Sequence, residues 1–285
     1  VVVWLIRSVV KRKKAIKAFY EQANYYREVP NGGEIRVSHF LAQTFDVANE
    51  ESLLIGALIL SMINKGCIEP QTEESVGAFG KSKKSVNLKL IKKPDTDIEK
   101  KLYKVLVKAA GEDGILQEKE LEKYAYKHPK SVSNLLENAL DDGREIFAEN
   151  KGFTGHSGRK ISDLTAKGKE ELAEVMGLKK YLEDFSLISE REISETIIWQ
   201  DYMVYATLFG IADKVIKQFE KVYPDRVPEF ENYNRNVIIA HSYCHSMHKS
   251  AERAMQEERT SGQGGFASIG GGGGFSGGGT GGGSR

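Results

Sequence analysis

Apolar residues recur at helical spacing along most of the chain. Leu53, Leu54, Leu58, Ile59 and Ile63 fall on or near one face between Glu50 and Lys65, which predicts an amphipathic helix. A helix centred on Phe40 and Leu41 precedes it. Lys65-Gly66 ends the run. Cys67-Ile68-Glu69 and Ser85-Val86-Asn87-Leu88-Lys89-Leu90 then read as two short strands around a polar stretch. Helix, helix, hairpin is a winged-helix order, so residues 13–95 are expected to form a first winged-helix-like unit.

The pattern then repeats. Thr96-Asp97-Ile98-Glu99 has the form of a capping box. Ile98, Leu102, Val105, Leu106 and Ala109 follow at helical spacing, and Gly111 stops the run. Helices are expected over 117–126 and 130–150, then a strand over Lys160-Ile161-Ser162-Asp163-Leu164, with Thr165 capping another helix. Residues 96–188 are therefore read as a second winged-helix-like unit.

A second cap, Ser189-Glu190-Arg191-Glu192, opens what is expected to be the longest helix, over 190–222 within a segment 189–225. Ile193, Ile197, Val204, Leu208, Ile211, Val215, Phe219 and Val222 form its stripe. Ile197, Leu208, Ile211 and Val215 should bury against Leu172, Val175, Tyr181 and Phe185. Trp199, Tyr202 and Tyr205 read as core or interface residues. Asp201, on the rim, should stay near water or find a partner. Pro224 and Pro228 break the helix and leave 226–260 as linker or helix. Fourteen of the 29 glycines lie from Gly262 onward, so 261–285 cannot bury a core and is expected to be disordered. The fold class is mainly α (α+β): tandem winged-helix-like units, a long amphipathic helix and a Gly-rich tail.

The first residues change the picture. Val1 to Ile6 are all apolar, and Arg7, Lys11, Arg12, Lys13, Lys14 and Lys17 arrive before the first acid, Glu21. Six residues cannot span a bilayer, which takes roughly 20. They read either as the inner end of a truncated span with its basic stop, over 1–12, or as an amphipathic helix with a solvated lysine face. Cations are retained on the cytoplasmic side, and Trp4 would sit at the headgroups. Between Thr196 and Ala212, Gln200 and Asp201 interrupt the apolar run, so a packing helix is expected there.

Lys+Arg number 41 against 40 Asp+Glu, and a net charge of +1 argues against a dedicated nucleic-acid binder. Cys67 and Cys244 are too few for a disulfide framework or a four-cysteine zinc site. Free thiols suit a reducing compartment.

Four segments carry a resemblance: Tyr25-Tyr26-Arg27-Glu28-Val29-Pro30; Gly177 to Ser186, leading to Glu190-Arg191; Trp199 to Ala206, running into Leu208 to Val215; and the Gly-Phe-Ser-Gly-rich C-terminus. Together they resemble the YciQ-like predicted membrane proteins, a bacterial family, over about Tyr25 to Arg285. The resemblance implies a parent with a signal peptide, an extracytoplasmic β-rich domain, a membrane span and this region in the cytosol. It favours the span reading of the N-terminus. Many relatives carry further spans before the segment at Gly177. This chain has no apolar run long enough there. The resemblance supplies no reaction and no catalytic residues.

The remaining candidates for chemistry are few. Ser75-Val76-Gly77-Ala78-Phe79-Gly80-Lys81-Ser82 is one residue from a phosphate-binding P-loop, but Ser75 replaces the first glycine and a strand follows where a helix is needed. A flexible wing tip is the plainer reading. His241, Cys244, His245 and His248 recur at three- and four-residue spacing, as zinc ligands on one helix would. A polar helix with histidines by chance is the plainer reading. Lys81, Lys83, Lys84, Lys89, Lys92 and Lys93 make a basic wing suited to phosphates of nucleic acid or of lipid headgroups, or simply to water. The helix before it offers Glu50, Glu51, Asn64 and Lys65, with no Arg to read guanine. Glu190, Glu192 and Glu195 offset a helix macrodipole. No acid/base pair or nucleophile constellation is present, and no cofactor is implied. The expectation is a non-enzymatic, membrane-anchored interaction or assembly module, with a protein partner or self-association. Its rival is a membrane-tethered winged-helix regulator that binds nucleic acid.

Overall fold

The computed structural model of the chain describes residues 2–76, 82–155, 158–184 and 196–263. Helices dominate: α1 (Val2–Gln22), α2 (Ile35–Thr44), α3 (Leu53–Asn64), α4 (Asp97–Ala110), α5 (Glu118–Lys127), α6 (Pro129–Glu149), α7 (Ala166–Glu183), α8 (Thr196–Leu208), α9 (Ala212–Val222) and α10 (Val227–Gln263). Strands β1 (Ile68–Val76), β2 (Ser82–Leu90) and β3 (Ile115–Leu116) form one antiparallel sheet in that order. The mainly helical class with a small sheet is the one the sequence predicts.

The core is built around α3. Its sequence, LLIGALILSMIN, is apolar all round, which requires burial on every side. Leu54, Ile55, Leu58 and Ile59 are fully enclosed. Helices α8 and α10 pack on it, with α4 and β1 at its other end. Gly56 marks the tightest crossing: a Cβ there would stand 3.3 Å from Thr207 Cγ2 and 3.4 Å from Cys244 Cβ. The helix in the recognition position of a winged-helix order, already poor in cations, is thus a central core helix.

The two expected units share one sheet. Hairpin β1–β2 pairs Ile68 with Leu90 through Val76 with Ser82. The free edge of β2 then takes β3 from the second unit, pairing Leu88 with Leu116 and Lys89 with Ile115. Residue 95 is no packing boundary. Helices α4 to α6 lie where the spacing placed them. Thr96 accepts from Glu99 N, and Thr165 accepts from Gly168 N. The strand expected over 160–164 is instead a 3-10 turn, Ile161–Asp163, followed by a single bridge from Leu164 to Phe153. Asp163 causes this: its carboxylate accepts from Lys160 N while its own N–H donates to Lys160 O, which closes a turn.

The helix expected over 190–222 is two helices. Leu208 ends α8, Phe209 caps it, and Gly210 follows at φ +73°. Gly210 N–H donates to Thr207 O, and Ile211 N–H to Ala206 O. That pair of bonds is a Schellman motif, which favours glycine at the left-handed position. The cap at Ser189–Glu192 lies outside the described residues. The longest helix is α10, at 37 residues, where a linker or helix was expected. Pro228 sits in its first turn, where no intrahelical N–H is required. Tyr243 ties α10 to the sheet, donating to Val86 O at 2.8 Å or Leu116 O at 3.0 Å. Residues 261–263 continue α10, and the rest of the Gly-rich segment lies outside the described residues.

Candidate membrane-proximal site

Helix α1 has two halves of different character. Trp4, Ile6, Val9 and Val10 are exposed, Trp4 by 71%. Arg7, Lys11, Lys13 and Lys14 are exposed among and after them. The last turns reverse this: Ile16 is buried, and Phe19 and Tyr20 pack against the core. An apolar, cation-flanked rod therefore projects from a helix whose other end is embedded in the fold. Among the described residues no helix is long and apolar enough to cross a membrane.

The chain after α1 is strapped down by α7 and α8. Lys180 Nζ donates to Glu21 O and Ala23 O at 3.1 and 3.0 Å. Tyr20 Oη donates to Glu183 Oε2 at 2.7 Å, and Tyr25 Oη to Asp184 Oδ2 at 3.1 Å. Burial first, then the bond to Glu183, raises the Tyr20 phenol far above its ordinary value. Asn31 N–H donates to Glu174 Oε2 at 2.8 Å, and Tyr202 Oη to Arg27 O at 2.6 Å. The Arg27 guanidinium lies 5.6 Å from the Tyr181 ring centroid, and Lys180 Nζ 5.8 Å from that of Tyr25. Gly177 lets the strap run this close, since a Cβ there would meet Asn24 O and Tyr26. Parts of three of the four segments that carry the resemblance, 25–30, 177–184 and 199–206, thus meet at one place in the fold.

A groove of about 590 Å³ opens beside α1. Trp4, Arg7, Ser8, Lys11, Arg12 and Ala15 form one wall, and Lys160, Ile161 and Ser162 the other. Arg12 clasps the walls together: its Nε donates to Arg159 O at 2.9 Å and its Nη2 to Thr44 O. Among the described residues no Asp or Glu lines the groove. Sequence reasoning found the α1 cations but missed Lys160, because only the tertiary fold brings it to α1.

The other candidate residues are not brought together. Cys244 is buried, with its thiol toward Ser52 O at 3.1 Å, and burial pushes the thiol up to about 12. His241 and His245 are exposed, and His248 Nε2 stands 3.3 Å from Glu252 Oε1. Among the described residues no group of three His, Cys, Asp or Glu side chains is placed to hold a metal ion. Lys89, Lys92 and Lys93 are exposed. Lys81, with most of the P-loop-like segment, lies outside the described residues, as do the side chains of Lys83 and Lys84. Trp199, Tyr202 and Tyr205 are core residues, as the spacing predicts. Asp201 is half-buried, and burial raises its carboxyl above the ordinary range, with Lys65 opposing.

Residues 150–219 match the model of one family, described as Predicted membrane protein (DUF2207) C-terminal domain. The match runs from the end of α6 into α9 and includes both helices that hold the strap. Neither the curated proteins nor the solved structures contain a match to the chain.

Proposed function

We propose that this chain is the membrane-proximal, non-enzymatic interaction or assembly module of an integral membrane protein, held on the cytoplasmic side of the bilayer by α1. The observation that supports this most is α1 itself. Trp4, Ile6, Val9 and Val10 in its N-terminal half are exposed, cations stand among and after them, and its C-terminal turns are part of the core. A free-standing globular helix would bury its apolar residues rather than project Trp4, Ile6, Val9 and Val10. Cations directly after an apolar segment are the cytoplasmic signature. The match of 150–219 to a predicted membrane protein family points to the same setting. α3, the helix directly before the hairpin, is enclosed and presents no face to a DNA groove, which favours a protein partner over nucleic acid.

The test is topology and retention of the full-length protein in cells. Both native cysteines are buried, so a reporter is placed at exposed Lys93 as Lys93→Cys. A membrane-impermeant maleimide should label it only after lysis. Labelling in intact cells rejects the cytoplasmic side. Release of the protein from membranes by high salt alone rejects the anchor. Crosslinking in native membranes should then capture a partner or a second copy.

A further inference from the structure

We infer that the groove between α1 and the 160–162 turn is a binding site for an anionic glycerophospholipid of the membrane. The inference rests on the membrane-proximal placement proposed above and adds a specific lipid class and site.

The lining residues on α1 are spaced for one face. Trp4, Ser8, Lys11, Arg12 and Ala15 recur at four, three, one and three residues, and Arg7 flanks them. From Trp4 to Ala15 the wall is roughly 16 Å long at the helical rise per residue. The chemistry changes along it. Trp4, nearest the apolar end, offers an aromatic ring at the level where bilayers hold tryptophan. Arg7 and Lys11 come next, and Lys160 faces them from the opposite wall. A phospholipid presents the same sequence: acyl chains, then a phosphate, then a polar headgroup. Ser8 adds a hydroxyl that can donate to phosphate or glycerol oxygens, whereas the Ser162 hydroxyl is directed at Asp163 Oδ1, 3.4 Å away.

Charge selects the class of lipid. Arg7, Lys11, Arg12 and Lys160 line the groove, and among the described residues no Asp or Glu does. Arg12 is held by main-chain carbonyls, so its charge is not cancelled by an acid. Among the described residues no ion pair involves Arg7, Lys11, Arg12 or Lys160. A choline or ethanolamine headgroup brings an ammonium that this lining repels. A glycerol headgroup brings only the phosphate charge.

The second wall is a built surface. The turn Ile161–Asp163 is closed by Asp163, and Arg159 O is clasped by Arg12. Behind it Phe153 packs edge-on to Phe147 at 4.8 Å and to Phe40 at 6.0 Å between ring centroids. Leu164 bridges back to Phe153. Lys160 is therefore carried on a rigid loop that is remote in sequence from α1, which makes it the discriminating residue.

The experiment titrates the purified chain with vesicles of phosphatidylcholine alone or mixed with phosphatidylglycerol. Emission from exposed Trp4 is the readout, because buried Trp199 already sits in an apolar site. Mixed vesicles should bind at least about ten-fold tighter, with the preference fading as salt rises. Lys160→Ala should weaken binding to mixed vesicles by about five-fold, the scale for one cation at an anionic surface, and leave phosphatidylcholine binding unchanged. Lys123→Ala, an exposed cation that does not line the groove, should change neither. Equal affinity for both vesicle types overturns the groove but leaves the membrane placement standing. An equal loss in Lys123→Ala and Lys160→Ala overturns it in favour of diffuse charge. Duplex DNA competing on equal terms through Lys160 overturns the lipid assignment. Binding to neither vesicle, with the full-length protein also released from membranes, removes the placement along with the groove.

Discussion

Tyr202 on α8 donates its hydroxyl hydrogen to the carbonyl of Arg27 at 2.6 Å, joining chain segments 175 residues apart. The bond fastens the strap that follows α1 to the segment that matches the family model. The phenol sits between Tyr181, 5.7 Å away ring to ring, and the strap. Burial, then the neighbouring Tyr181, raises its pKa well above the ordinary phenol value, so it remains a donor throughout the physiological range. Tyr202→Phe keeps the ring and removes the donor. It should cost about 1 kcal/mol, with up to about 3 if the carbonyl is left dry. Urea denaturation measures the cost. Amide exchange over 22–30 should speed up more than elsewhere, because the strap is what the bond holds.

Leu208, the last residue of α8, is fully buried. Leu208→Ala should destabilise the chain by about 2–5 kcal/mol. Chemical denaturation checks this directly. Unchanged stability, with loss of self-association or partner capture, would mean that the face is an interface and not core. The expected packing partners hold only in part. Leu172, Val175 and Tyr181 on α7 are buried, but α8 lies chiefly along α3. Phe185 and the side chain of Ile197 lie outside the described residues.

Where the sequence was readable, the signal was local. The apolar run of α3, the hairpin, and the caps at Thr96 and Thr165 each depend on residues within one or two turns of each other. The misreadings have the opposite character. The stripe from Val204 to Val222 kept its period across Gly210, so periodicity alone carried one helix through a break that a single glycine makes. Pro228 reads as a breaker by residue type, but its place in the first turn of α10 is compatible with a helix. Strand β3 has only two residues, and its pairing with β2 is set by α4 folding back, which no pattern within Ile115-Leu116 reveals. At the candidate site, the cations of α1 were visible as a run. Lys160 was not, since 145 or more residues separate it from the wall it completes, a span over which sequence spacing carries no geometry.

His39 gives the chain a pH dependence. It is enclosed in α2, and neither ring nitrogen has a hydrogen-bond partner among the described residues. Burial pushes its pKa down to about 4, against an unfolded value of about 6.5. The folded state thus holds the ring neutral while the unfolded state takes up a proton. Stability from this source is complete above about pH 6.5 and is lost as the pH falls toward 4, by about 3 kcal/mol in all. Unfolding free energies measured between pH 7 and 4.5 should show this slope, and His39→Leu should flatten it. A slope that persists in His39→Leu would place the titration elsewhere.

Gly177 makes the opposite demand from most helical glycines. In the middle of α7, alanine should be favoured by up to about 1 kcal/mol on helix propensity. Here the added Cβ would press on Asn24 O and stand 2.9 Å from Tyr26 Cβ, and a main-chain oxygen cannot swing aside as a side-chain tip does. Overpacking of this kind costs about 1–3 kcal/mol, so the clash should win. Gly177→Ala should therefore lower the unfolding free energy despite its better propensity. The loss should appear with faster amide exchange in the strap and weaker coupling of α1 to the body. Gly155→Ala is the control: nothing lies within 4 Å of a Cβ there, so its effect should stay within about 0.5 kcal/mol. If Gly177→Ala instead stabilises the chain, the strap yields to a methyl group. The close seating of Asn24 and Tyr26 on α7 would then not be what fixes α1 to the fold.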